Sequence, residues 1–374
     1  MVDCGFFYQE LNKRGINFFT GVPDSLLKSP CAFISGNAPS SSHIIAANEG
    51  GAIALACGHY LATGKMGLVY MQNSGLGNAI NPLVSLADRE IYGIPLILLI
   101  GWRGEPKETD EPQHIKQGKI TLKLLNTLGI PYRILPSTDS KAKDCLDYLV
   151  KAAYRKKTPV GIVVKKDTFK ECRCQTDIEL SSDLTREESI RLILDRLNRK
   201  DIVISTTGKA SRELYECREQ LKQGHCRDFL TVGSMGHASQ IALAVALEKP
   251  SRRVFCIDGD GAVIMHMGSL AVIGSQKARN FKHIIINNAS HDSVGGQPTV
   301  GEWISFTGIA KACGYKSYKA ASSAKELKNV LNSFIASPGP ALLEVRVKKG
   351  SRKDLTRPKS LKKAKKDFMN FVSL

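Results

Sequence analysis

The stretch VFCIDGDGAVIMHMG, residues 254–268, is an apolar run that passes into two acids and two glycines. Residues 254–257 are typical of a buried strand, and the residues after Gly261 follow the spacing of a helix. Glycine permits a tight turn here, and the free N–H groups at a helix start can bind an anion. Asp260 tolerates a phosphate beside it only if a cation lies between the two groups. The stretch therefore predicts magnesium bridging phosphates, and the alternative is a metal-free helix cap.

The next predicted strand ends in a second polar group. A short apolar run, residues 283–286, is followed at once by Asn287 and Asn288. A strand–helix–strand unit brings these asparagines to the same sheet edge as Asp260, because parallel strands present their carboxyl ends side by side. An amide oxygen and a nearby backbone carbonyl would complete an oxygen-rich site of the kind that Mg²⁺ prefers.

Strand and helix patterns alternate along the whole chain of 374 residues, which is typical of parallel sheets with crossover helices. This length exceeds that of one ordinary core, so we expect an α/β protein with two doubly wound domains and mainly parallel sheets. Helices are predicted between the strands, including one continuous helix over residues 263–275. Strands are predicted at residues 18–20, 43–46, 67–71, 95–101, 132–135, 161–164, 202–206, 229–232, 253–257, 283–286 and 342–347.

The alternation and the local composition predict four segments. The second domain has a clear start, because Thr185 and Glu188 have the spacing of a helix capping box. The segments are an α/β domain at 1–167, a polar linker at 168–183, a second α/β domain at 184–349 and a basic C-terminal tail at 350–374.

The chain carries a formal charge of +18, and the C-terminal region supplies half of this excess. Ten basic residues and a single acid lie between Lys348 and Lys366. Such a tail is typical of a solvated or anion-binding appendage, and no nucleic-acid-binding motif accompanies it, so we expect no nucleic-acid partner. The alternative from a different class is a polyanion-binding protein that uses this tail.

Targeting and membrane signals are missing from the sequence. No apolar stretch is long enough for a membrane helix, and the N-terminal stretch MVDCGFFYQELNKRG lacks the pattern of a signal peptide. The ten cysteines are scattered, and several fall inside apolar patterns where free cysteine acts as a small hydrophobe. We therefore expect a cytoplasmic protein without a membrane partner.

The GDG turn and the later NN pair, each at the end of a predicted strand, resemble the diphosphate- and metal-binding motif of thiamine-diphosphate enzymes. The resemblance implies thiamine diphosphate and Mg²⁺ as cofactors. It implies Asp260, the Asn288 side chain and the Ser290 carbonyl as metal ligands, and Asn287 is the other choice for the amide.

The same resemblance requires a glutamate for the pyrimidine ring of the cofactor in the first domain. Glu49 meets this requirement in AANEGGAIALACGHYLATGK, residues 46–65, where it follows a strand and precedes an Ala/Gly-rich helical pattern. In the family this carboxyl group shares a proton with a ring nitrogen of the cofactor. Taken alone, Glu49 would be an ordinary acid in the first turn of a helix.

Further cofactor contacts follow from the resemblance. Met235 comes after a strand, where the family places a bulky apolar residue against the cofactor, and Thr207 and Gly208 form a loop on the diphosphate side. Core packing and ordinary strand–helix turns are the alternatives for these positions. The remaining cofactor-binding positions implied are Asn73, Gly233, Gly259, Gly261 and Ala262.

The short chain with its compact pair of domains resembles the decarboxylases of 2-oxoacids that carry an acidic group on C3, and among these the phosphonopyruvate decarboxylases. The resemblance implies decarboxylation of 3-phosphonopyruvate to phosphonoacetaldehyde and CO₂, in phosphonate biosynthesis. The alternatives are a sulfopyruvate decarboxylase and an acetolactate-type carboligase. The stretches that resemble the family are TGVPDSLLK (20–28), NSGLGNAINPL (73–83), GWRGEPKETDEPQH (101–114), STTGKASREL (205–214), GSMGHASQIALA (233–244), NNASHDSVGGQPT (287–299) and GSRKDLTRP (350–358).

Proton-transfer residues are implied in both domains. Asp24 and His114 match positions that line the reaction centre in related decarboxylases, and His291 and Asp292 are second candidates. For any one histidine, a structural role is an equal alternative.

Basic groups of the C-terminal segment are the candidates for binding the phosphonate, because guanidinium groups suit phosphoryl oxygens. A solvated tail explains the same residues equally well. They are Arg352, Lys353 and Arg357.

Glu49 and Asp260 belong to separate domains, and the resemblance implies that such a pair meets across a subunit interface. A homodimer is therefore the smallest assembly expected, and a larger homo-oligomer is compatible with it. The other expected partner is a small anionic 2-oxoacid substrate.

Overall fold

The computed structural model of the protein describes residues 1–172 and 182–373. These residues form two compact units, of which the first holds residues 1–172 with Ser293–Gln297 and the second holds the remainder. Most of the predicted linker, 168–183, falls outside the described residues. Within the described ranges, no helix is both long and apolar enough to cross a membrane.

The first unit is built on six parallel strands. They are β1 (Phe19–Gly21), β2 (His43–Ile45), β3 (Leu68–Gln72), β4 (Ile97–Gly101), β5 (Tyr132–Ile134) and β6 (Val160–Val164). Their order in the sheet is β2-β1-β3-β4-β6-β5. Neighbouring residues of β4, such as Leu98 and Leu99, belong to apolar clusters on opposite faces, because successive side chains of a strand alternate.

Helices cover this first sheet. They are α1 (Cys4–Lys13), α2 (Lys28–Asn37), α3 (Glu49–Thr63), α4 (Leu76–Pro82), α5 (Pro112–Thr127) and α6 (Asp139–Lys156). A short π-helical segment, Leu83–Ala87, continues α4.

The second unit repeats the architecture with a second parallel sheet. Its strands are β7 (Ile202–Ser205), β8 (Asp228–Leu230), β9 (Val254–Gly259), β10 (Phe281–Asn287), β11 (Ser317–Ala321) and β12 (Ala341–Arg346). Its helices are α7 (Arg186–Leu194), α8 (Lys209–Gln220), α9 (Ala238–Glu248), α10 (Asp260–Met265), α11 (Gly268–Gln276), α12 (Phe306–Ala312), α13 (Ala324–Ala336) and α14 (Leu361–Ser373). The capping box predicted at the start of α7 is confirmed, since Thr185 and Glu188 bond reciprocally.

Both sheets have the same topology. The second sheet runs β8-β7-β9-β10-β12-β11, which is the order of the first sheet when each unit is counted from its own first strand. In each unit the chain moves outward from the first strand and then returns to its other side. The carboxyl ends of the first and third strands therefore flank a switch point, where open α/β sheets bind their ligands.

The predicted fold class is confirmed, and two local predictions were wrong. Strand β11 was missed because it is an edge strand in which exposed and partly buried side chains alternate. The predicted helix over 263–275 is two helices, α10 and α11, and the chain leaves helical geometry at His266 (φ −132°, ψ 48°). The His266 ring lies against Gly236, where a Cβ atom would be 2.5 Å from its Cδ2, so the break accommodates this contact.

The segment predicted as a basic tail is partly ordered against the second unit. Phe368 of α14 is buried in the same apolar cluster as β9 residues, and Phe371 and Val372 pack beside it. The guanidinium group of Arg252 lies 4.2 Å from the centre of the Phe371 ring, and its Nη1 donates to the Phe371 carbonyl (2.8 Å). The segment therefore ends in an amphipathic helix rather than in a freely solvated tail.

Candidate active site

Glu49 occupies a fixed position at the start of α3, directly after β2. The Asn48 side chain caps this helix by accepting a hydrogen bond from the Gly51 N–H (2.8 Å). Glu49 is 5% exposed, and its Oε2 accepts a hydrogen bond from Asn78 Nδ2 (2.8 Å). A Cβ atom at Gly75 would lie 2.3 Å from Glu49 Oε1, so only glycine leaves room for the carboxyl group.

Asp24 lies beyond the end of β1 and is completely buried. Its Oδ1 accepts from Gln72 Nε2 (2.7 Å) at the end of β3, and its Oδ2 accepts from the Leu26 N–H (2.9 Å). Burial raises the pKa of this carboxyl group above its usual range, although both hydrogen bonds oppose the shift. A Cβ atom at Gly101 would lie 2.0 Å from Asp24 Oδ2, so only glycine at this position leaves room for the carboxyl group at the sheet edge.

His114 is held by an acid that the sequence analysis did not identify. Its Nδ1 lies 2.9 Å from Asp110 Oδ1, while Arg103 Nε donates to Asp110 Oδ2 (2.8 Å). Burial alone would raise the pKa of Asp110, but hydrogen bonds from Arg103 and His114 outweigh it and hold the pKa well below its usual range. Ionised Asp110 can only accept, so the Nδ1–H of His114 donates and Nε2 is left to exchange protons.

Asn73 bonds the Arg103 loop through both the nitrogen and the oxygen of its side-chain amide. Its Nδ2 donates to the Arg103 carbonyl (2.8 Å) and to Thr121 Oγ1 (2.8 Å), and its Oδ1 accepts from the Arg103 N–H (3.2 Å). The side chain therefore positions the Arg103 loop, and the cofactor contact implied for it stays a prediction.

Asp260, the first residue of α10, lies at the carboxyl end of β9 and is 3% exposed. The Thr299 hydroxyl donates to its Oδ2. A Cβ atom at Gly301 would lie 2.9 Å from Asp260 Oδ2, 2.8 Å from Asn287 Oδ1 and 3.0 Å from Thr299 Oγ1, so three oxygens converge beside this glycine. Burial raises the pKa of Asp260 to about 6 despite hydrogen bonds from Thr299 and from backbone N–H groups.

The two asparagines after β10 have different environments. Asn287 donates to the Gly301 carbonyl (2.8 Å) and to Glu344 Oε1 (2.9 Å), and its Oδ1 accepts from the Ala289 N–H (3.0 Å). Asn288 donates to Asp292 Oδ2 (3.2 Å), and its Oδ1 accepts only a long bond from the Ser290 N–H (3.2 Å). The Asn287 amide is therefore held by three hydrogen bonds, and the Asn288 amide is the less constrained of the two.

The loop after β8 and the loop after β10 meet over the start of α10. A Cβ atom at Gly261 would lie 3.3 Å from His291 Cε1 and 3.4 Å from Met235 Cε, so both side chains border this glycine. A Cβ atom at Gly236 would lie 2.9 Å from the carbonyl of the buried Ala262. Burial lowers the pKa of His291 to about 4, so this imidazole is neutral near pH 7.

The loop that follows β7 lies at the switch point of the second sheet. Thr207 and Gly208 are partly buried, and Gly208 (φ 91°) precedes the first residue of the twelve-residue helix α8. This backbone conformation favours glycine, and it presents the N–H groups of the helix start beyond the sheet edge. Gly233 is partly buried in the loop after β8.

The predicted phosphonate ligands lie in the C-terminal segment, and Arg352 is already paired there. Its guanidinium group contacts carboxylates of Glu187 (3.1 Å), Glu216 (3.3 Å) and Asp354 (2.8 Å). This pairing argues against a substrate role for Arg352. Lys353 is exposed, and Arg357 is partly buried.

Several residues of the site were missed at the sequence level because only the folded chain reveals them. Asp110 and Arg103 do fall in the stretch 101–114, where the four-residue spacing of Asp110 and His114 was an available signal. The contacts of Asn78 and Thr299 with the two site acids link residues 29 and 39 positions apart, and nothing in the local pattern marks them.

Comparisons with known proteins agree with this arrangement. The model described as "Thiamine pyrophosphate enzyme, N-terminal TPP binding domain" matches residues 6–123, and the one described as "C-terminal TPP binding domain" matches residues 206–345. A phosphonopyruvate decarboxylase of Streptomyces viridochromogenes is 34% identical, and the alignment covers 96% of this chain and 92% of the relative. The chain belongs to the thiamine pyrophosphate enzymes.

Two further relatives are named as sulfopyruvate decarboxylases. A sulfopyruvate decarboxylase of Methanosarcina acetivorans is 27% identical, and the alignment covers 96% of this chain and 94% of the relative. A sulfopyruvate decarboxylase subunit beta of Methanocaldococcus jannaschii is 37% identical over 39% of this chain and 77% of its own length. The resemblance and the thiamine diphosphate cofactor inferred from the sequence are thus confirmed.

The residues at the second sheet edge fit the cofactor of a thiamine pyrophosphate enzyme. Carboxylate, amide and backbone oxygens are the donors that a hard cation such as Mg²⁺ requires. The start of α8 offers N–H groups suited to a diphosphate.

Replacing Gly75 tests whether the position of the Glu49 carboxyl group matters. The Cβ atom of Gly75→Ala would overlap Glu49 Oε1 and displace the carboxyl group, while Gly77→Ala meets nothing within 4 Å. We expect activity with saturating thiamine diphosphate to fall about a hundredfold in Gly75→Ala and to stay near wild type in Gly77→Ala. Equal activities, at equal melting temperatures, would contradict the placement.

Proposed function

We propose that this thiamine-diphosphate enzyme decarboxylates 3-phosphonopyruvate to phosphonoacetaldehyde and CO₂, in phosphonate biosynthesis. The near full-length match to a relative named phosphonopyruvate decarboxylase carries the proposal. In the reaction the C1–C2 bond breaks, C1 leaves as CO₂, and a proton takes its place on C2. When bound, thiamine diphosphate supplies the group that accepts the electron pair of the broken bond.

Asp260, the Asn288 side chain and the Ser290 carbonyl are proposed to bind Mg²⁺, which neutralises the diphosphate. The carboxyl group of Asp260 is buried beside neutral donors, so a bound cation would relieve its desolvation. The Ala289 backbone between the two loop ligands is left-handed (φ 50°), and Ser290 after it forms an isolated β-bridge with Pro298. Asn287 is proposed to hold the loop rather than the metal.

Glu49 is proposed to share a proton with the pyrimidine ring of the cofactor. Its burial and the hydrogen bond from Asn78 to Oε2 fix the carboxyl group in place. The other oxygen, Oε1, lies beside Gly75 and is proposed to carry the shared proton. His114 is proposed to exchange protons with the substrate through Nε2, because Asp110 fixes its Nδ1 as the donor. Asp24 and His291 are proposed as further groups near the reacting atoms.

The phosphonate is proposed to contact basic groups of the C-terminal segment. Arg352 is paired with three carboxylates, and Lys353 and Arg357 are the other two basic groups proposed for this role. A sulfonate would suit the same cations, so sulfopyruvate is the second candidate substrate, which the whole-length sulfopyruvate decarboxylase relative favours.

The chain is proposed to act as a homodimer or a larger homo-oligomer. Three helices support this assembly because their apolar side chains are spread around the helix instead of forming a single stripe. They are α3, α9 and α11. Their exposed side chains include Leu61, Leu247 and Val272, which are 71%, 47% and 47% exposed. Large exposed apolar side chains on apolar helices are typical of a surface that another subunit covers.

A substrate panel tests the proposed function directly. We expect kcat/KM for CO₂ release from phosphonopyruvate to exceed that from pyruvate by at least about a hundredfold, because pyruvate leaves the cationic groups unpaired. Sulfopyruvate in the same panel decides between the two anionic substrates. Equal turnover of pyruvate would contradict the proposal, and acetolactate formation would identify a carboligase instead.

Mixing two inactive variants tests the subunit arrangement. We expect Glu49→Gln and Asp260→Asn each to lose nearly all activity while they remain folded. If each site takes Glu49 from one subunit and Asp260 from another, mixed dimers contain one intact site, and reassociated equimolar mixtures regain about a quarter of wild-type activity. Recovery no greater than the sum of the separate variants would rule out sharing.

The raised pKa of Asp260 predicts a pH-dependent affinity for magnesium. The carboxyl group is ionised above its pKa of about 6 and protonated below it, and a proton competes with the cation. We therefore expect the Mg²⁺ concentration that half-saturates thiamine diphosphate binding to rise about tenfold per unit of pH below that value. Calorimetric titrations from about pH 5 to pH 8 measure this, with Asp260→Asn as the pH-insensitive control. A constant half-saturation would be the contrary result.

A further inference from the structure

A buried ion network lies behind Asn288. Arg186, the first residue of α7, is 7% exposed, and its Nε and Nη2 donate to the two carboxyl oxygens of Glu213 (2.6 Å and 3.1 Å). Its Nη1 donates to Asp292 Oδ2 (3.2 Å). Glu213 belongs to α8, the helix that begins just after the Thr207–Gly208 loop. One guanidinium group therefore joins α7, α8 and the loop that follows β10.

Asp292 links this network to Asn288. The Oδ2 atom that accepts from Arg186 also accepts from Asn288 Nδ2 (3.2 Å) and from the Gly350 N–H (3.1 Å). An amide has its oxygen and its nitrogen on opposite sides, so fixing Nδ2 against Asp292 directs Oδ1 away from it. The backbone N–H of Asn288 bonds the Asp260 carboxyl group, which holds the two candidate metal ligands in register.

Both polar backbone groups of Gly350 bond to this ion network. Its N–H donates to Asp292, and its carbonyl accepts a long bond from Arg186 Nη2 (3.4 Å). Its φ of 106° is a conformation that favours glycine, and a Cβ atom there would meet nothing within 4 Å. Two residues later Arg352 bonds Glu187 of α7 and Glu216 of α8, so the C-terminal segment is fastened across the same two helices.

We propose that the Arg186–Asp292 pair, held by Gly350, is the positioning element that orients the Asn288 amide and so sets the affinity of the enzyme for Mg²⁺. This inference rests on the proposed metal site. Asp292 is then a positioning residue, because its Oδ2 accepts from Arg186, Asn288 and Gly350 at once. Partners of metal ligands that lie one step behind them typically change metal affinity by tenfold or more when removed.

The test compares Arg186→Met with Arg218→Met. Arg218 is another buried arginine of α8, and its Nε and Nη2 bond Asp228 (2.8 Å and 2.8 Å). Within the described ranges its guanidinium group bonds Asp228 and Gln223 and not the Asn288 loop. Both variants break a buried ion pair in the second unit, but only Arg186→Met releases Asp292. The readout is the Mg²⁺ concentration that half-saturates thiamine diphosphate binding in the full-length protein, measured by calorimetry without substrate.

We expect the half-saturating Mg²⁺ concentration to rise about tenfold or more in Arg186→Met and to stay within about twofold of wild type in Arg218→Met. We expect kcat at saturating Mg²⁺ to be nearly retained in Arg186→Met, because the reacting groups are untouched. Asp292→Asn, which keeps the volume of the side chain, should shift the Mg²⁺ dependence in the same direction and carries the test if Arg186→Met does not fold. Equal Mg²⁺ dependence in wild type and the folded variant would overturn the inference.

Asn288→Ala separates failure of the inference from failure of the metal site. If Asn288→Ala weakens Mg²⁺ binding and Arg186→Met and Asp292→Asn do not, the positioning role is wrong and the metal site stands. If Asn288→Ala leaves Mg²⁺ binding unchanged, the proposed metal site is wrong and the inference falls with it. A shift in Arg218→Met as large as that in Arg186→Met would show a general effect of lost stability and would also overturn the inference.

Discussion

The buried carboxyl group of Asp260 is the constraint on which the edge of the second sheet depends. Removing an acid from water disfavours its ionised form, and the pKa of about 6 shows that its hydrogen bonds only partly offset burial. Those bonds come from the Thr299 hydroxyl and from backbone N–H groups, which are neutral donors. The proposed Mg²⁺ would supply the missing positive charge. The two proposed loop ligands, Asn288 and Ser290, lie on either side of the left-handed backbone at Ala289.

The two units share one topology but carry different chemical groups at their switch points. Each sheet has a switch point between its first and third strands, where side chains from loops converge. In the first unit this edge holds buried acids, Asp24 and Glu49, whose neighbours are amides and glycines. Such groups suit proton exchange with a neutral ring. In the second unit the edge combines oxygen ligands with helix N–H groups, which suit a metal and phosphates.

The sequence predicts the central strands and the strand-end acids well because both are local signals. Apolar runs such as residues 97–101 can only be buried strands in this context, and a polar residue after them must lie at the carboxyl edge. Strand β11 was missed because an edge strand carries a polar, half-exposed pattern. The contacts of Asp110, Asn78, Thr299 and Arg186 were missed for another reason. They depend on which loops meet, and that is decided by the packing of helices on the sheet rather than by any pattern within a loop.

The positive charge of the C-terminal segment has two separate physical explanations. Arg352 is neutralised by three carboxylates, so part of the apparent excess is internal to the fold. The lysines of α14 occupy its exposed side, and Leu361, Ala364, Phe368 and Phe371 recur at helical spacing along the other. That spacing was present in the sequence, but the lysine run concealed it. A helix of this kind needs its charges only for solvation, while its apolar side packs against the core of the second unit beneath the proposed metal site's sheet. The basic composition of this segment is therefore no evidence by itself for a polyanion ligand. The lysines are needed to keep one side of the amphipathic helix in contact with water while its other side is buried.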